Sequence, residues 1–499
     1  MSTLKKFAGE TAIYGFTNIL TRTLNFLLTP LYVKIFSPSL YGVFSELFSY
    51  TSLIAAFLSL GMETTYFRFL QKEEFKSKVF QNAFLTLSLT SILFGVLALL
   101  GWPGLVNYFQ HGTSLQQVDY RPFLAFFIGF IILDNLSVIP FARLRAESKP
   151  LQYAFIKASS IFLFIFLNLF FLLLLPRLAD WKGPFQAFFV WIYIPHWIGY
   201  VFLANLLASF YSLICLSPLL KEIRWNFNRI LFFQMISYSW PILIANLSFI
   251  LNENLDKMLL RKLLPIRTSL YQLGIYSACY KLSVFLNLFI QAFRLGAEPF
   301  FFSHSSHPDS KKTYARVMDY FIMVVSIMAL AIIANISWLK YWIPNREYWI
   351  GLKVVPILVY GYVCLGIYMN LSVWYKLSDQ TRFGFYISGI GALITIIFNI
   401  LLIPILGYMG SAWTTLAAYL VMMIISYLWG QKYYSIPYKL GSNIFNLILS
   451  LGLSLISFLL FHQNFWLGNL SLIIFIAVLY YQNRKEWKTL FQMIKGRKI

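Results

Sequence analysis

The chain has 499 residues, of which 59% are hydrophobic, 19% aromatic and 12% charged, and its formal net charge is +22. A soluble domain averages about 25% charged residues, so composition excludes a soluble globular protein and points to an integral membrane protein. The basic residues lie mostly between apolar runs, where they set membrane topology, so the charge does not imply a nucleic-acid partner.

In chain order the apolar runs predict about fourteen membrane-crossing helices, since about 20 apolar residues cross a hydrocarbon core roughly 30 Å thick. The first six fall at 11–32, 41–62, 79–100, 122–142, 152–175 and 185–214. The next six fall at 231–252, 271–301, 317–338, 351–374, 384–406 and 410–430, and two more at 443–461 and 465–482. Alternating ten-residue segments, the mark of a membrane barrel, are absent. "MSTLKK" leads into a long span without a small-residue cleavage site, which reads as a retained first helix. Cys215, Cys279 and Cys364 lie in or beside spans, so no disulfide framework is implied. About 26 lysines and arginines fall on the side of the N-terminus, Lys157 among them, against about 11 opposite, four of these between Lys257 and Arg267. This asymmetry places both termini in the cytoplasm.

Two stretches read as copies of each other. "LYGVFSELFSY" leads to "LGMETTYFRF", and "QLGIYSACYKL" leads to "RLGAEPFFF". Gly42 matches Gly274 and Glu63 matches Glu298. Six spans separate the copies, so the halves keep one orientation, as in transporters built from parallel repeats; the alternative is chance likeness between aromatic-rich helices. The expected division is a six-helix bundle over 1–230, a second over 231–440, and two further helices with a basic tail over 441–499. The fold class is therefore an all-α polytopic membrane protein with two pseudo-symmetric bundles.

Polar residues inside the spans carry the functional signal. Thr11, Gly15, Asn18, Arg22, Asn25 and Thr29 are spaced by three or four, one stripe on a helix of 3.6 residues per turn. Asn287, Gln291, Arg294 and Glu298 repeat the pattern in the eighth span, with Lys281 nearer its outer end and off the stripe. Glu46, Asp134, Glu253 and Asp256 add carboxylates in the second, fourth and seventh spans, and Pro241 marks an expected kink. An arginine at a bilayer centre costs roughly 2.5 to 3.5 kcal/mol on insertion scales. One reading is buried pairing, Arg22 with Asp134 or Glu46 and Arg294 with Glu298. The other is a hydrated cavity, in which Arg22, Arg294 and Lys281, with Asn18, Asn25, Asn287 and Gln291, bind an anionic headgroup. Arginine's planar fork suits bidentate phosphate binding. Glu46, Asp134, Glu253, Asp256 and Glu298 would then couple an ion or gate the cavity.

Catalytic signatures are missing. Neither GxxxxGK[ST] nor HExxH occurs, and the His304/His307 pair has no third ligand. No enzyme activity, cofactor or metal is expected. A membrane glycan polymerase is disfavoured by short outer loops, and a structural scaffold by the intramembrane charges.

"LLIPILGYMGSAWTTLAAYLV", with Pro404, Gly407, Gly410, Ser411 and Ala412, resembles a helix-loop-helix of polysaccharide exporters in the multidrug/oligosaccharidyl-lipid/polysaccharide (MOP) superfamily. "YGVFS", "LGIYSACYKLS" and "NENLDKMLL" resemble that family's second-helix opening, eighth-helix opening and seventh-helix exit. The resemblance implies a Wzx-type flippase in the bacterial inner membrane. Such a protein moves undecaprenyl-diphosphate-linked oligosaccharide between leaflets by alternating access, for surface polysaccharide such as O-antigen lipopolysaccharide. It also implies membrane lipids, a coupling ion (H+ or Na+) and other polysaccharide assembly proteins as partners. A lipid II flippase and a multidrug/cation antiporter are the alternatives within the superfamily; the second would want an acidic cavity without central arginines.

Overall fold

The computed structural model describes residues 13–15, 17, 19–21, 23–71, 76–110, 118–221, 223, 227–305, 307–378, 380–482 and 484. Among these residues there are helices and no strands, and thirteen helices are long and apolar enough to cross a membrane. The chain is therefore a multi-pass, all-α membrane protein. Arg22, Asn18 and Thr11 lie outside the described residues.

In one helix burial is inverted relative to a soluble protein. In the Leu440–Leu455 helix the buried residues are Asn443, Asn446, Ser450 and Ser454, whereas Ile444, Phe445 and Ile448 are exposed. A helix with its apolar face outward and its polar face inward is solvated by lipid. The inward polar groups fasten this helix to its neighbour Ser310–Ala334. Asn443 Nδ2 donates to Asp319 Oδ1 at 2.8 Å, and the Ser450 hydroxyl donates to the Ser326 carbonyl at 2.9 Å. The following Phe465–Gln482 helix docks on the same neighbour, with Asn469 and Asn335 exchanging amide hydrogen bonds at 3.0 and 3.2 Å. Within a bilayer these hydrogen bonds and close packing, rather than water exclusion, hold helices together.

Contacts divide the chain into two compact units. One comprises residues up to Ser277 together with Asn399–Gly407; the other comprises Ala278–Phe398 and the residues from Tyr408 onward. In the first unit the two repeated sequences meet. A Cβ on Gly42 would collide with the Leu270 carbonyl, and a Cβ on Gly274 with the Pro38 carbonyl. Each glycine thus faces the carbonyl four residues before the other, so the contact is reciprocal. Only glycine lets two helix backbones approach this closely.

Two expectations are corrected in this unit. The span expected at 185–214 begins only at Gly199. Residues Gln186–Ile192 form a separate seven-residue helix, cut off by an extended break at Tyr193. Lys157, counted among the loop cations, lies inside the Pro150–Leu169 helix. Pro150 occupies the first turn of that helix, where its missing N–H costs nothing. The helix Arg229–Leu263 continues through Pro241 as one element of 35 residues.

Candidate functional site

Among the described residues, the sequence-predicted carboxylates Glu46, Asp256, Asp134 and Glu298 centre four groups of charged residues, three in the first unit and one in the second. The most buried joins Glu46, on the Pro38–Ser59 helix, to Arg261, near the end of Arg229–Leu263. Arg261 Nε lies 3.2 Å from Glu46 Oε2, and the two side chains are only 5% and 2% exposed. Arg261 Nη1 also donates to the Ser269 hydroxyl at 2.7 Å. Beside this pair Lys262 sits over the Tyr108 ring, 3.2 Å from its centroid. Glu46 thus finds Arg261 as its partner. Arg261 was read as a topology-setting loop cation; Pro265 is the first helix breaker after Asp256, so the helix and its charges run on to Leu263.

The second group is centred on Asp256. Its carboxylate accepts a 2.6 Å hydrogen bond from the Tyr276 hydroxyl, and Lys257 Nζ approaches at 3.4 Å. Lys257 Nζ also donates to the Glu253 carbonyl at 3.0 Å, so its ammonium is held beside both acidic positions. The Glu253 side chain is half-buried.

The third group lies among three helices. Asp134, on Tyr120–Ala146, accepts a hydrogen bond from Ser209, on Gly199–Leu220, and faces Lys157 electrostatically. Lys157 in turn lies 4.1 Å from the centroid of the Phe141 ring. A lysine two turns into a span, opposite an aspartate, is an intramembrane pair and not a loop charge.

The fourth group is in the second unit. Glu298 takes an ion pair from Arg294, one helical turn before it, at 3.3 Å, and another from Lys376 on the short helix Val373–Leu377. The Arg294 side chain remains 41% exposed. It borders a small crevice of about 10 Å³, room for about one water, whose lining includes Phe293, Phe321, Met369 and Asn370. On the same helix, Gln291 Nε2 reaches Asn287 Oδ1 at 3.5 Å. Lys281 is half-buried on this helix, two turns before Asn287. In the first span Asn25 is exposed and Thr29 buried.

The repeat reappears in these pairings. Glu63, the counterpart of Glu298, pairs with Arg145 at the end of the Tyr120–Ala146 helix. Arg145 ends the span two beyond that of Glu63, and Lys376 lies at the end of the span two beyond that of Glu298. Each unit therefore closes the same acid position with a cation from the same relative span. Lys376 was assigned only a topological role from sequence, although the match of Glu63 with Glu298 contained the signal.

Among the described residues no group of three His, Cys, Asp or Glu is placed to hold a metal. The arrangement can bind charge by ion pairing and hydrogen bonding, and half-exposed Arg294 has a guanidinium face open to a ligand.

The sequence matches the family described as "Polysaccharide biosynthesis protein" over residues 8–297. The chain belongs to that family. Its fold is similar to that of the lipid II flippase MurJ in an inward closed conformation, with a TM-score of 0.71 at 15% identity, covering 94% of this chain and 99% of that one. It is similar also to an inward-facing multidrug resistance MATE family transporter of the MOP superfamily, with a TM-score of 0.65 at 14% identity, covering 82% and 94%. A Vibrio cholerae MATE transporter matches with a TM-score of 0.58 at 13% identity, covering 86% and 96%. Comparison with curated proteins finds no match. This polysaccharide biosynthesis family member thus has the fold of the MOP-superfamily transporters, as the resemblance in its sequence implies.

Proposed function

We propose that the protein flips a lipid-diphosphate-linked oligosaccharide across the bacterial inner membrane by alternating access, for surface polysaccharide assembly, with both termini cytoplasmic. The observation that carries this reading is the Glu298 cluster. Two cations, Arg294 and Lys376, meet one carboxylate, leaving one positive charge in excess where the Arg294 side chain is 41% exposed. A diphosphate headgroup supplies the matching charge and the paired oxygens that a guanidinium fork recognises. Family membership supports a polysaccharide cargo, and an excess of positive charge disfavours a cationic drug.

In this reading Arg22, Asn18, Asn25, Asn287, Gln291 and Lys281 contribute further contacts to the headgroup and first sugars. Glu46, Asp134, Glu253, Asp256 and Glu298 hold ion pairs that exchange during the cycle, driven by H+, Na+ or the membrane potential. One charge moving through 100 mV yields about 2.3 kcal/mol.

The test is Arg294→Ala in a strain whose surface glycan depends on this protein, with Arg294→Lys beside it. Loss of surface glycan at unchanged protein level in the alanine variant, with partial retention in the lysine variant, is the expected outcome. Normal glycan in the alanine variant would reject the assigned role. A depletion strain that arrests peptidoglycan synthesis while its surface glycan persists would move the cargo to lipid II.

A further inference from the structure

The segment between the spans Pro150–Asp180 and Gly199–Leu220 has a composition unlike a connecting loop. Seven of its residues 181–197 are aromatic, and no residue from Gly183 to Ile198 is charged. It is also too short to cross a membrane. Its helix has seven residues, about 10 Å at 1.5 Å per residue, against the roughly 30 Å of a hydrocarbon core.

None of the residues of that helix is buried. Trp191 is 81% exposed, and Phe185, Phe188, Val190 and Trp181 are each more than half exposed. An apolar, charge-free face of this kind is unfavourable in water and demands a partner.

The face is held outward by a built support. The Tyr200 hydroxyl donates to the Ile192 carbonyl at 2.6 Å and accepts from the Ile194 N–H at 2.7 Å. Those two groups flank the point where the short helix ends, so one side chain satisfies the backbone at the break. The Tyr200 ring is itself fixed, stacked on Phe171 at 5.1 Å and edge-on to Trp197 at 4.9 Å. At the other end Gln186 Nε2 donates to the Ala179 carbonyl at 3.4 Å.

We infer that residues 183–198 form an in-plane anchor lying in the headgroup layer of the bilayer, with the lipid surface as its partner. The chain on both sides continues into a membrane-crossing helix, Pro150–Asp180 before it and Gly199–Leu220 after it, and the preceding span also exposes aromatic residues, Phe162 and Phe166. Tryptophan and tyrosine are enriched at that depth because their rings are apolar and their N–H or O–H groups are not. Arg177, Asp180 and Lys182 precede the run from Phe185 to Trp197 and keep that end at the water boundary. A protein partner would also cover the face, but continuity with two membrane spans favours lipid.

The test uses the full chain in phosphatidylethanolamine/phosphatidylglycerol vesicles. Nitroxide labels are placed at F188C and W191C, with F162C as the deep reference and K182C as the aqueous one. The unsubstituted chain is treated identically to subtract labelling at the three native cysteines. Oxygen collisions should exceed those of a water-soluble nickel complex severalfold more at 188 and 191 than at 182, and less than at 162. Three results would overturn the inference: equality with K182C, equality with F162C, or shielding from both reagents, which would mean protein covers the face. Should W191C fail to fold, F188C decides alone, since that side chain is also more than half exposed.

Discussion

Two acid–arginine pairs in this molecule have the same chemistry and opposite surroundings. Glu46–Arg261 is closed on every side, with both side chains at 5% exposure or less. Glu298 meets Arg294 at a similar distance, yet Arg294 is 41% exposed and a second cation, Lys376, shares the carboxylate. A buried, balanced pair can only fasten helices or come apart with them. An open, unbalanced one has charge to offer a ligand. Burial, and not residue type, separates the two roles.

The largest expected effect comes from breaking the closed pair on one side. Arg261→Ala leaves Glu46 buried without a partner, which costs about 3 to 5 kcal/mol in such settings. Thermal unfolding in detergent should show a large fall in midpoint. Replacing both residues by apolar ones of similar size, E46L with R261M, should recover much of that loss, because buried pairs are often no better than apolar packing. If the double variant is as unstable as R261A, the pair is not the source of the loss.

Next comes the reciprocal glycine contact. Gly274→Ala places a methyl against the Pro38 carbonyl, which is backbone and cannot rotate away. Overpacking costs roughly 1 to 3 kcal/mol, and a midpoint matching the parent's would contradict the close approach. Gly452→Ala is a suitable control, since a Cβ there meets nothing within 4 Å.

This contrast also marks where sequence reasoning stops. The spans, their all-helical character and the repeat were legible because lipid imposes length and apolarity on each helix separately. The Arg294–Glu298 pair was legible because it is local, one helical turn apart. Glu46–Arg261 was not, since its partners are 215 positions apart and several cations could have met Glu46. Lys157 was misread because it was counted with the loop cations although it lies inside the expected span 152–175; its charge, and not its place in the apolar run, decided the assignment. The sixth span was drawn too long because hydropathy cannot distinguish a crossing helix from a short apolar helix joined to it, here Gln186–Ile192 ahead of Gly199.

At the open pair the comparison predicts a small effect on stability. Arg294 is 41% exposed, and Glu298 keeps Lys376 when Arg294 is removed. Arg294→Ala should therefore shift unfolding by about 1 kcal/mol or less, even while abolishing glycan export. A collapse like that of R261A would show that Arg294 fastens the fold and would remove it as a ligand contact.

The smallest effect belongs to an acid just past the end of a span, and its value is as a baseline for the other two. Glu147, just past the end of the Tyr120–Ala146 helix, takes Arg143 at 2.5 Å and Lys149 at 2.7 Å. Burial pushes its carboxyl up, but the hydrogen bonds from Lys149 and Arg143 outweigh this and hold it below the usual carboxylate range. A carboxylate depressed by folding adds stability above the ordinary carboxylate range and loses it as pH falls through the folded value. Glu147 lies at the helix end with its side chain 30% exposed, so Glu147→Gln should cost only about 0 to 1 kcal/mol near neutral pH. The gap between parent and variant should close on acidification. A gap that widens in acid would reverse the sign and show that the glutamate is destabilised by its setting. If the gap instead rivals that of R261A, exposure is not what separates a fastening pair from an available one, and the contrast between Glu46 and Glu298 loses its basis.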